Sequence, residues 1–195
     1  PEIEAKVDRR QLRERVQFER MRQYMRRERL TAVSGALPSA YLVWLHWPRV
    51  DHTTLIAWWL LLLVVDMASV AHTSHYLAKS VPAEQLAHWR WRQILLQVFV
   101  GLIWGSFMWL CQADTAGHEV RGMVLVAVNA IAVIGMLPYR HAVISFSLAL
   151  WIPPLLAFVT IGGLREWQLA LGIVVLIISL NFYLWEASKQ LIRGI

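Results

Sequence analysis

Hydrophobic and polar positions separate into blocks along this chain. Residues 1–29 carry ten Lys/Arg and six Asp/Glu, with no glycine and no proline after Pro1, a composition that predicts one long basic helix outside the bilayer. Val7, Phe18, Met21 and Met25 fall on one face of it, interrupted by Gln11 and Glu14. A dimerising coil and a helix lying on lipid headgroups both fit that pattern. Six apolar segments follow, at Leu30–Trp47, Thr54–Tyr76, Gln93–Cys111, Val120–Leu137, Ala142–Ile161 and Trp167–Trp185. Each approaches the ~20 residues that a helix needs to cross a hydrocarbon core, so the expected fold is all-α, a six-span transmembrane helix bundle. The first segment is interrupted by Ser34, Gly35, Pro38 and Ser39. The short connections at Pro48–Thr53 and Pro138–His141 make consecutive spans antiparallel neighbours, in one membrane domain over residues 30–185.

The sixth segment does not stop at its flanking tryptophan. Glu186 to Arg193 continues with good helix formers, and Ile177, Leu180, Leu184, Ala187 and Leu191 recur at alternating three- and four-residue steps, the spacing of a coiled-coil seam. Residues 186–195 are therefore expected to begin a coupling helix outside the bilayer, with Leu180, Leu184, Ala187 and Leu191 as its signal-coupling positions. A lipid-facing stripe with a short amphipathic end fits the same residues.

Composition agrees with the blocks: 57% of residues are hydrophobic and 16% charged, too apolar for a soluble domain of this length. Cys111 is the single cysteine, which excludes an intrachain disulfide. The net charge of +6 sits beside apolar spans, where anionic lipid headgroups are the nearer partner, so no nucleic acid is expected. The first thirty residues hold no secretory pattern; a chain starting at Pro1 is expected to be a fragment or a processed product. Sixteen basic residues fall on one side of the six spans and only Arg49, Arg121 and Arg165 on the other. By the positive-inside rule both termini are cytoplasmic. The loop Ala78–Arg92 then lies on that side too, with Trp89-Arg90-Trp91-Arg92 as an interfacial anchor.

Asp66 is the position with the most chemistry, because an ionised carboxylate deep in a span is costly unless paired or hydrated. It should face the bundle interior, with Gln97, Asn129, Ser147 and Asn181 as candidate partners. Both a ligand or proton contact and a hydrogen-bonded acid locking two helices fit it. In the third span Gly101 and Gly105 stand four apart, a spacing that admits close helix approach. Trp104, and Trp151 beside Pro153-Pro154, lie away from both interfaces, where they fill a core or line a cavity. Asp66, Gln97, Trp104, Asn129, Ser147, Trp151 and Asn181 form the candidate ligand-binding set. His72 and His75 share a helical face, and His141 starts the fifth span on the same side. They could hold a metal or haem, though two histidines without a fixed acidic ligand do not define a site, and no cofactor is expected. The chain has no phosphate loop, no His-Glu-x-x-His and no nucleophile elbow, so no catalytic site is expected within it.

The basic N-terminal helix, Gly101-Leu102-Ile103-Trp104-Gly105, Pro154 in mid-span, the Gly162-Gly163 turn and the sixth span running into a charged helix together resemble a known arrangement. It is that of the six-span N-terminal sensor modules of bacterial sensor histidine kinases and GGDEF diguanylate cyclases. The resemblance covers roughly residues 20–195. It implies a dimeric signal-input module of the bacterial inner membrane that binds a small or lipophilic molecule. The signal would pass through the sixth helix to a kinase or cyclase output absent from this chain. Two other functions fit the residues: a carrier or proton-linked transport subunit using Asp66, and a membrane haem protein using His72 or His75 with His141.

Overall fold

The structure, a computed structural model, describes the backbone of residues 2–79, 85–111 and 118–193, and the side chains in those ranges except 2–15, 32, 181, 184, 185 and 187–193. Seven helices account for almost all of it: α1 Glu2–Ser34, α2 Ala36–His46, α3 His52–Ala78, α4 Leu86–Leu110, α5 His118–Met136, α6 Arg140–Ile161 and α7 Leu164–Arg193. Four of these, α3 to α6, are long and apolar enough to cross a membrane. The chain is a multi-pass membrane protein with four candidate spans among the described residues, not the six that the apolar blocks suggest.

The two differences have separate origins. The block Leu30–Trp47 is divided at Gly35 between the end of α1 and α2. Pro38, three residues into α2, has no N–H to offer the preceding turn. Ser34 Oγ and Ser39 Oγ donate back to the Thr31 and Ala36 carbonyls, at 2.7 and 2.9 Å. At 11 residues, α2 is roughly 16 Å long, about half a hydrocarbon core. The block Trp167–Trp185 lies within α7 and includes side chains outside the described residues.

A third difference concerns the expected loop Ala78–Arg92, because α4 already begins at Leu86. The reason is periodic: Leu86, Trp89, Gln93, Gln97 and Val100 recur every three or four residues and are all buried, which extends the helical stripe through the charged tetrapeptide. Trp89 packs beside His72, His75 and Tyr76 at 4.7, 5.7 and 5.4 Å between ring centroids. It is a packing residue between α3 and α4. At the opposite end of α3, Asp51 caps the helix, accepting from the Thr54 backbone N–H at 2.8 Å and from Thr54 Oγ1 at 2.9 Å. These bonds, the backbone one first, hold its carboxyl below the usual carboxylate range.

The N-terminal helix is a wall of the bundle. Met21, Tyr24, Met25 and Glu28 fall on one face of α1 and are all buried, covered chiefly by α3. Phe18 reaches Tyr76, and Tyr24 reaches Tyr139, at 6.4 and 5.5 Å between centroids.

The most extensive helix pair is α4 with α6. A Cβ on Gly101 would stand 2.7 Å from the Phe146 carbonyl oxygen, and one on Gly105 would stand 2.3 Å from that of Leu150. Both glycines therefore set the approach of the two backbones. Pro153 and Pro154 sit inside α6 without ending it. Pro154 has no N–H for the Leu150 carbonyl four residues earlier, and that carbonyl is the one facing Gly105. Trp109 Nε1 adds a bond to the Pro153 carbonyl at 2.8 Å. Gly162, with φ +66°, closes α6 in a left-handed conformation that favours glycine. From there α7 turns back and packs chiefly on α6.

Candidate functional site

Two spaces in the bundle collect the chemistry. The first is a cavity of about 40 Å³ that α1 to α6 all line, its acidic and amide side chains coming from α1, α3 and α4. Asp66, Gln97 and Trp104 line it, as does Glu28 from α1. Glu28 is held by two donors on the same oxygen: Gln97 Nε2 reaches Oε1 at 2.6 Å and Ser69 Oγ reaches it at 3.3 Å. Gln93 Nε2 donates to the Tyr24 hydroxyl at 2.9 Å, and that hydroxyl adjoins the Glu28 carboxyl. Trp104 is fixed from behind by an edge-on contact with Trp58 at 5.9 Å. Trp58 is anchored in turn by its Nε1 bond to the Ile103 carbonyl at 2.7 Å. At ~10–15 Å³ for each water-sized occupant, the cavity has room for about three.

The second space is an apolar groove of about 380 Å³ between α5, α6 and α7. Met108, Leu125, Trp151, Phe158, Ile173 and Leu176 are among the residues of its wall. Trp151 is buried, and its indole Nε1 has no hydrogen-bond partner among the described residues. Glu119 lies at the groove and accepts an ion pair from Arg165 at the start of α7. Both side chains are exposed, so the contact holds α7 to α5 weakly. Gly122 and Gly172 also line the groove, and an added Cβ at either would meet nothing within 4 Å.

The expected ligand-binding set is thus divided. Asp66, Gln97 and Trp104 share the polar cavity, and Trp151 belongs to the apolar groove. Asn129 and Ser147 satisfy one another, Ser147 Oγ donating to Asn129 Oδ1 at 2.9 Å, and tie α5 to α6. The Asn181 side chain lies outside the described residues, as do those of Leu184, Ala187 and Leu191. Leu180 is partly buried against the core. His72 and His75 both pack against Trp89, while His141 packs on Tyr139 at 5.8 Å. Among the described residues no three His, Cys, Asp or Glu side chains are grouped to hold a metal ion.

Two buried charged residues escape a reading of the sequence. Glu28 hides in a segment dense with charge, although its spacing from Met21 and Met25 continues the apolar stripe of α1. Arg121, 0% exposed, donates from Nη1 to His46 Nε2 at 2.9 Å. Since a guanidinium can only donate, Nε2 is the acceptor. His46 therefore carries its proton on Nδ1, which donates to the Leu42 carbonyl at 3.0 Å. This arrangement joins α2 to α5 at the end of the bundle opposite the Trp89 cluster.

No family model, curated protein or solved structure matches the chain.

Proposed function

We propose that the chain is a transmembrane signal-input module in which a lipophilic molecule occupies the groove between α5, α6 and α7 and biases the position of α7. What carries this reading is the identity of the groove's third wall. Leu169, Gly172, Ile173 and Leu176 belong to the same uninterrupted 30-residue helix that runs to Arg193, so an occupant touches the transmitting element directly. At roughly 45 Å, that helix exceeds a hydrocarbon core of about 30 Å, and its far end is available to a cytoplasmic output. The volume suits a small molecule, since such sites span roughly 300–1,000 Å³. Trp151 Nε1 offers a hydrogen bond to a carbonyl or hydroxyl on an otherwise apolar ligand. The polar cavity at Asp66 is too small for such a molecule.

In this reading the module works as a homodimer in a bacterial inner membrane, with both termini cytoplasmic and Leu180, Leu184, Ala187 and Leu191 along the coupling seam. Transmission requires the ligand to bind one position of α7 more tightly than the other; equal affinity would shift nothing.

The test joins native mass spectrometry of the detergent-released protein with a chimera carrying a dimeric reporter output after α7. Gly172→Phe fills the groove without a backbone clash. It should remove a retained small molecule and fix the reporter at one level, and Trp151→Phe should weaken retention. If wild type carries only bulk lipid and Gly172→Phe leaves reporter output unaltered, the groove is not the input site. Substrate or proton flux in liposomes that Asp66→Asn abolishes would replace the sensor by a carrier.

A further inference from the structure

The polar cavity presents a problem of charge that the groove does not. Two carboxyl groups, Glu28 and Asp66, line it at 3% and 9% exposure. On α1 the neighbouring Arg26, Arg27 and Arg29 are exposed and turned away. The α1 hydroxyls of Tyr24, Thr31 and Ser34 are at the site, from α3 come Asp66 and Ser69, and from α4 Gln93 and Gln97; α5 and α6 contribute apolar side chains such as Val128, Met136 and Phe146. No lysine or arginine of the described residues lines the space.

The unfilled hydrogen-bonding capacity is equally one-sided. Glu28 Oε1 already accepts two bonds, but Glu28 Oε2 and Gln97 Oε1 are buried without a partner among the described residues. With Glu28 ionised, the Gln97 amide turns its nitrogen to the carboxylate, which leaves its oxygen without a donor. The Tyr24 hydroxyl, which accepts from Gln93 and adjoins the Glu28 carboxyl, keeps a hydrogen to donate there, but Glu28 Oε2 and Gln97 Oε1 remain acceptors in a place where a carboxylate has lost its hydration.

We infer that the cavity binds a monovalent alkali cation of the sodium class, with Glu28 Oε2, Gln97 Oε1 and the Asp66 carboxylate as its protein ligands. Oxygen donors alone suit a hard cation rather than a transition metal. A space of about 40 Å³ accommodates an ion with one or two waters completing its shell. Calcium fits less well: it takes six to eight oxygens, commonly with a bidentate carboxylate, and Glu28 has one oxygen committed to Gln97 and Ser69. A bound ion would tie α1 to α3 and α4, the three helices that supply its ligands. The site stands apart from the apolar groove and does not depend on what occupies it.

The test uses the full chain in detergent at pH 8 and fixed ionic strength, with choline chloride replaced stepwise by sodium, potassium or calcium chloride. Sodium should raise the unfolding temperature saturably, by roughly 5 °C or more once it is ~100 times its Kd, and potassium and calcium should do less. Radioactive sodium should bind the wild-type protein at one ion per chain, a readout that needs no variant. Glu28→Gln and Asp66→Asn should each abolish both effects. No saturable sodium response, a response surviving the double variant, or one seen with calcium alone would overturn the assignment. So would a transition that follows pH and ignores sodium, which would mean that the two carboxyl groups hold protons.

Discussion

The α4–α6 and α6–α7 seams share one helix and differ in almost everything else. At the first, Gly101 and Gly105 bring two backbones together, a proline-freed carbonyl faces the gap, and Trp109 bonds across it. At the second, α7 packs on α6 beside an apolar groove of about 380 Å³, and an exposed ion pair ties the start of α7 to α5. Close backbone packing has few alternative arrangements, since interiors deform in steps rather than continuously. A helix that borders an open groove on one side has more room to shift. The difference separates a helix pair in backbone contact from one that borders an open groove.

The sharpest way to break this comparison is to make the same substitution in both seams. Gly105→Ala should cost about 3 kcal/mol or more, because its Cβ must displace a backbone carbonyl. Gly172→Ala should be neutral or stabilising by up to ~1 kcal/mol, from helix propensity alone. Thermal unfolding of the two purified variants reads both, and equal costs would mean the seams do not differ as described. Gly101→Ala should fall between them, at about 1–3 kcal/mol, since its nearest contact is less severe. Trp151→Phe should leave stability within ~0.5 kcal/mol, because the lost N–H had no described partner, while retention of an apolar molecule falls. The smallest effect is expected for Arg165→Gln: under ~1 kcal/mol, and fading as salt is raised. A larger, salt-independent loss would show that α7 is held more firmly than its contacts suggest.

Much of this frame was legible in the chain. The Gly101 and Gly105 spacing announced close approach, and the high cost of a charge in a span placed Asp66 toward the interior. Periodicity gives a residue's depth and the face of its own helix, but not which helix that face will meet. Trp104 and Trp151, both far from the interfaces, accordingly belong to different spaces, and Asn129 and Ser147 pair with one another instead of with Asp66. Glu28 was obscured by its neighbourhood, since one buried acid among many solvated charges leaves no compositional trace. The count of spans failed where a proline shortened a helix without ending the apolar run, which hydropathy averaged over a window does not register.

The burial of Met21, Tyr24, Met25 and Glu28 bears on how far this molecule can be trimmed. A segment so rich in arginine and glutamate invites removal as a soluble tail, with the first apolar block taken as the natural start. Cutting there would strip one side from the interior and leave the partners of Glu28, Ser69 and Gln97, facing a hole. The smallest unit that can fold as described begins no later than Phe18, well inside the stretch that looks most dispensable.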